Sequence, residues 1–126
     1  MVASVAQAAK LEVVVANVRS GKGHVRVAAC SAETFLKDFC QWNGEVRAAP
    51  GEVVVTLEVP PGIWAVQAYQ DEDGSGKVTR NFLGIPAEGL GFSNDAPFRF
   101  GPPKFADAAF RLEPGGGRIR LTLRYF

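Results

Sequence analysis

The 126-residue chain has one histidine and only two cysteines. Those side chains cannot complete a thiolate zinc site, which needs four nitrogen or sulfur ligands. Charge of one sign is also scarce. The formal net charge is +1, so no global field draws the chain to nucleic acid or to an anionic membrane. No apolar run approaches the ~20 residues of a membrane-spanning helix, so no membrane span is expected. Helical periodicity is almost absent.

Catalytic motifs are equally thin. His24 lies on the polar side of an expected strand with no acid partner evident in the sequence, which leaves a Ser-His-Asp triad unsupported. The run Gly91-Phe92-Ser93-Asn94-Asp95 begins like a nucleophile elbow, but Asp95 stands where its last glycine belongs. No α/β pattern surrounds it. The first residues lack the basic and long apolar parts of an intact secretion signal, although Ala6-Gln7-Ala8 has the small-x-small character of a signal-peptidase site. Residues 1–9 are expected to be flexible, either as the remnant of such a signal or as a plain Ala-rich terminus. Residues 10–126 are then one domain, a length sufficient to bury a core.

What is present is β-pattern. Leu11–Arg19 is β-branched and mostly apolar, and Val25, Val27 and Ala29 alternate with His24, Arg26 and Ala28. Ser20-Gly21-Lys22-Gly23 between them is turn chemistry, so the two strands are expected to form a hairpin. Ser31 can cap a short helix near 31–39, with Phe35 and Phe39 on one side. Trp42–Gly51 reads as loop, from Asn43-Gly44 and Pro50-Gly51. In Glu52–Val59 the residues Val53, Val55, Leu57 and Val59 share one face. Pro60-Pro61-Gly62 stops that strand, and Ile63–Tyr69 resumes with Trp64, Val66 and Ala68 on one face. Phe110 and Leu112 start another alternation. The chain closes with Ile119, Leu121, Leu123 and Tyr125 facing the core while Arg118, Arg120 and Arg124 face solvent. Those arginines read as a solvated face that blunts a sheet edge. Short strands with Gly/Pro turns imply an all-β fold, an antiparallel Ig-like or prealbumin-like β-sandwich.

Cys30 and Cys40 enclose the 31–39 excursion. A disulfide there would stabilise the fold by roughly 3 kcal/mol and would imply an oxidising compartment. Two buried thiols are the alternative.

The long Gly/Pro-rich segment from Tyr69 to Phe110 interrupts the strand pattern, and loops of that length are commonly functional. Its opening, Asp71-Glu72-Asp73-Gly74-Ser75-Gly76-Lys77-Val78-Thr79, has the spacing of an EF-hand-type calcium loop. Oxygen-bearing side chains fall at Asp71, Asp73, Ser75 and Thr79, glycine is sixth, and the carbonyl of Lys77 is seventh. Calcium takes six to eight oxygens, and alternate residues of a tight loop converge theirs on one point. Phe82 occupies the twelfth position, so the closing carboxylate must come from elsewhere, such as Glu72, Glu88, Asp95 or Asp107. A plain acidic turn is the competing reading. Further along, Glu88, Phe92, Asn94 and Asp107 are the ligand-binding candidates, and a lid packed by its own aromatic side chains is the bland alternative.

Several stretches resemble one bacterial family. They are Trp64–Asp71, Asp73–Lys77, Asn81–Gly89, Gly91–Asn94 and Phe105–Phe110, and together they look like the domain of unknown function 2141. That resemblance implies a secreted or periplasmic protein, since members mostly carry secretion signals. The family usually has Asn where this chain has Asp73 and Ser75, and Asp where it has Thr79, and the changes at 75 and 79 weaken any inherited ion site here. Pro60-Pro61-Gly62-Ile63-Trp64 also resembles the proline-glycine-aromatic strand start of transthyretin-like and carboxypeptidase-regulatory-like sandwiches, an analogy of fold alone.

The expectation is a secreted or periplasmic, non-catalytic binding or structural module. Its loop at 71–79 takes Ca2+, and its partner is a small molecule, a glycan or an envelope protein. The alternative is a small envelope hydrolase or carbohydrate-active enzyme using carboxylates of the central loop, Glu88 and Asp107 among them. That needs two acids roughly 5–10 Å apart in a cleft.

Overall fold

The computed structural model describes residues 8–37, 40–76, 88–97 and 101–125. Phe39, Lys77, Thr79 and Phe82 lie outside the described residues. The architecture is an all-β sandwich of two sheets.

The first sheet has three strands in the order β4 (Gly51–Val59), β1 (Ala9–Val18) and β8 (Gly117–Thr122). β1 is antiparallel to β4 but parallel to β8, the one departure from an antiparallel sandwich among these pairings. Leu11, Val13 and Val15 of β1 meet Val55, Leu57 and Val59 of β4 and Leu121 of β8 in the main core, in the alternation expected of a sheet with one buried face. The arginines of β8 stay outside, where Arg118 faces Glu12 and Arg120 pairs with Glu52 across the sheet.

The second sheet follows the order β3 (Trp42–Arg47), β2 (His24–Cys30), β5 (Gly62–Asp71) and β6 (Leu90–Phe92), all antiparallel. β7 (Phe110–Leu112) pairs with the beginning of β5 on the same edge that β6 uses further along. Between those two partners Val66 would lose its ladder bond. The buried Ser93 hydroxyl fills the gap, accepting from the Val66 amide at 2.9 Å and donating to the Ala108 carbonyl. The serine of the elbow-like run is therefore a backbone substitute in the ladder.

Three expectations change. β1 and β2 are not a hairpin but lie in different sheets, because both edges of β1 are already taken by β4 and β8. A register shift between Val15 and Val18, with Asn17 at φ 66° and its side-chain Nδ2 donating to the Leu123 carbonyl, ends β1 and turns the chain across to the other sheet. Trp42–Arg47 is a strand, not a loop. Asn43-Gly44 sits mid-strand because Gly44 faces inward, where a Cβ would come within 2.8 Å of Leu57 Cδ2. Residues Ser31–Lys37 form turns rather than a helix. Phe35 N donates to Ser31 O, but Leu36 at φ 69° breaks the helical path. The short helix that does form, α1, is Phe105–Ala108.

A second, smaller apolar cluster covers part of the outer face of the second sheet. Cys30, Cys40, Phe35, Ala65, Phe92 and Ala108 build it, and the Cys30–Cys40 disulfide ties its base. Phe35 meets Phe92 and Phe105 edge-on, at 5.7 and 5.8 Å between centroids.

Candidate functional site

The outer ends of β2 and β5 carry the chemistry. Outward-facing residues alternate along each strand, so His24, Arg26 and Ala28 of β2 and Gln67, Tyr69 and Asp71 of β5 share one face. Asp71 ends β5 and is fully buried. Its Oδ2 accepts from Arg26 Nε and from the Gly76 amide, both at 2.8 Å. Its Oδ1 accepts from the Ser75 amide at 3.0 Å and more distantly from the Ser75 hydroxyl. One carboxylate thus curls the Asp71–Gly76 turn around itself and fastens it to the neighbouring strand.

Asp73 Oδ1 shares the Ser75 amide, and the buried Glu88 accepts from the amides of Glu72 and Asp73 at 2.8 and 3.3 Å. Carboxylate oxygens of Asp71, Asp73 and Glu88 all lie within 4.8 Å of one another. That trio could hold a metal ion. Asp71 and Asp73 were legible from loop spacing, and Glu88 supplies the acid that Phe82 does not. Ser75 stands in the turn with its hydroxyl aimed at Asp71.

Glu72 faces away from this cluster. Arg19 pairs with it through both Nη2 and Nε, and the Ser20 hydroxyl donates to it at 2.8 Å. Those bonds hold the Glu72 carboxyl below its ordinary pKa and raise that of Arg19. Arg19 also lies over the Tyr125 ring at 4.7 Å. Gln70 Nε2 donates to Ser20 O, Ser20 Oγ and Lys22 O, which clamps the 19–23 crossing beside the turn. Gly23 at φ 68° lets that crossing touch β5, since a Cβ there would sit 1.9 Å from the Asp71 carbonyl oxygen.

Arg26 is the residue that sequence reasoning missed. It binds Asp71 on one side and Glu45 on the other, and His24 Nε2 lies 3.7 Å from Glu45. Only the register of three strands assembles this group. Burial pushes the neighbouring Tyr69 hydroxyl up to about 12, with the Asp71 charge adding to the shift.

The remaining ligand candidates are spread out. Phe92 is buried in the outer cluster. Asn94, at φ 60°, donates to the carbonyls of Asp107 and Ala109. Asp107 is exposed on α1, whereas Glu88 is buried against the 71–76 turn. The two acids of the enzyme reading therefore occupy different surroundings.

The family described as uncharacterized proteins conserved in bacteria, DUF2141, matches residues 13–120. The chain belongs to that family. No curated protein and no solved structure matches it. The match to DUF2141 runs from within β1 to within β8, so it covers both sheets and the acidic turn of this member together.

Proposed function

We propose that this DUF2141 chain is a non-catalytic binding module of the bacterial periplasm or exterior, with a calcium ion ordering the loop that starts at Asp71. The observation that carries the reading is the convergence of Asp71, Asp73 and Glu88 oxygens within 4.8 Å. An all-oxygen donor set on an irregular turn suits Ca2+ better than zinc or copper, which favour nitrogen and sulfur. Magnesium demands a stricter octahedron than a turn of this kind offers. The Ser75 hydroxyl, aimed at Asp71, adds a neutral oxygen beside them. The Cys30–Cys40 disulfide supports an oxidising compartment.

Arg26 works against the ion, because its guanidinium already neutralises Asp71. Binding is therefore expected in the weak range of extracellular modules, Kd about 10⁻⁴–10⁻³ M. The test is calorimetric titration of chelator-treated protein with calcium, with thermal unfolding followed in parallel. A saturable heat and a rise in Tm are expected, worth about 1.4 kcal/mol at ten times Kd. Both should vanish in Asp73→Ala, which removes a ligand oxygen at an exposed position. No heat at millimolar calcium would reduce the loop to an acidic turn.

A further inference from the structure

A cleft of about 200 Å³ lies on the outer face of the second sheet. The register places its lining in two rungs. One rung is Glu45–Arg26–Tyr69 and the next is Asn43–Ala28–Gln67. Ala28 sits between two longer side chains, so its methyl leaves a hollow in the middle of the face. Gly76 of the acidic turn and Cys40 of the disulfide also line the cleft, which places it between the two constrained excursions.

The chemistry of that lining narrows the ligand. Arg26 carries one positive charge, but Glu45 and Asp71 both bind it. An anion would meet a site whose cation is already spent. An apolar ligand would strand the polar groups around it. Gln67 Oε1 accepts from the Leu36 amide at 3.2 Å, which orients the side chain and leaves its NH2 undonated among the described residues. Asn43 donates its NH2 to the carbonyls of Cys40 and Gln41 at 2.9 and 3.3 Å, which leaves its oxygen as an acceptor. The half-buried Tyr69 contributes a ring and a hydroxyl. Donors and acceptors thus alternate around an aromatic surface in a site of little net charge.

From this geometry we propose that the cleft binds a neutral saccharide, one pyranose ring at a time. Sugar hydroxyls donate and accept at once, which matches the mixed amide lining. The C–H face of a pyranose fits against an aromatic ring that also offers a polar handle. The volume is below the ~300 Å³ at which drug-sized pockets begin, so a single ring fills it. The inference rests on the binding-module reading but not on the cation.

The test is a titration of the full chain, followed by amide chemical shifts, with the methyl glycosides of glucose, galactose, mannose and N-acetylglucosamine. It is run once with calcium and once with chelator. Saturable shifts centred on Ala28, Gln67 and Tyr69 are expected for at least one glycoside. Ala28→Leu should abolish them by filling the hollow, while leaving the calcium heat unchanged. Tyr69→Ala should weaken binding about tenfold, and Gln67→Ala, on an outward face, serves if the leucine disturbs the fold. No shift with any glycoside, or binding that survives Ala28→Leu, would overturn the proposal. Sugar binding without a calcium heat would overturn only the ion.

Discussion

At the residue scale, Asp71 decides the local structure and Arg26 decides what Asp71 can do. A fully buried carboxylate is costly to leave without a partner, and Arg26 supplies one at 2.8 Å. Arg26→Met should therefore destabilise the protein in chelator by the ~1.5–3 kcal/mol of a hydrogen bond to a charged group, seen as a lower Tm. Calcium should restore more stability to this variant than to the wild type, because the competing guanidinium is gone. Parallel melts of both proteins across a calcium series check this, and an equal response in the two would show that Arg26 does not compete. Glu72 gives a pH-dependent counterpart. Its folded pKa is depressed by Arg19 and Ser20, so its contribution is fully present above the ordinary carboxylate value. That contribution is lost as pH falls through the depressed value. The gap in urea midpoint between wild type and Glu72→Gln should hold at neutral pH and close in acid. A gap independent of pH would assign it to packing. Spacing along one stretch was enough to single out Asp71, Asp73 and Ser75. Glu88 was among the acids expected to close the loop, but Arg26 and Glu45 were not legible as partners, because no local pattern states which residues two other strands bring alongside.

At the scale of elements, the same contrast recurs. The alternation of Val53, Val55, Leu57 and Val59, and of Ile119, Leu121 and Leu123, placed β4 and β8 because period-two patterning depends only on one buried face. β3 escaped because Asn-Gly is turn chemistry when solvent surrounds it. Here the glycine is required by the crowding of Leu57 instead. The excursion after β2 looked helical from Ser31, Phe35 and Phe39, yet its closure by Cys30–Cys40, with Cα atoms 5.2 Å apart, returns the chain too soon for a regular helix. Replacing both cysteines with alanine should cost about 2–3 kcal/mol by freeing a short loop in the unfolded chain. Chemical unfolding under non-reducing conditions measures it. A Gly23→Ala change tests a different junction, the crossing from β1 to β2. Its positive φ and the close Asp71 carbonyl make a loss of about 2 kcal/mol or more the expected outcome, and a neutral result would show that the crossing can move away from β5.

At the scale of the whole molecule, two apolar clusters sit on opposite faces of one sheet. The inner one joins both sheets through β1, β4, β2 and β5. The outer one gathers Phe35, Phe92 and Ala108 around the disulfide. Only the inner cluster spans the sandwich, so it should open only with global unfolding, while the outer one depends on a covalent tie that reduction removes. Native-state amide exchange separates them. With the disulfide intact, the amides of Val13, Val15 and Leu57 should be the most protected. After reduction those amides should keep the protection of the global transition, whereas Phe35 and Ala96 exchange much faster. Simultaneous loss at both clusters would mean that the molecule has one cooperative core and that the outer cluster is part of it. The cleft lies against the outer cluster at Cys40. Selective loosening there would make ligand binding on this face sensitive to the thiol-disulfide state while the sandwich itself persists.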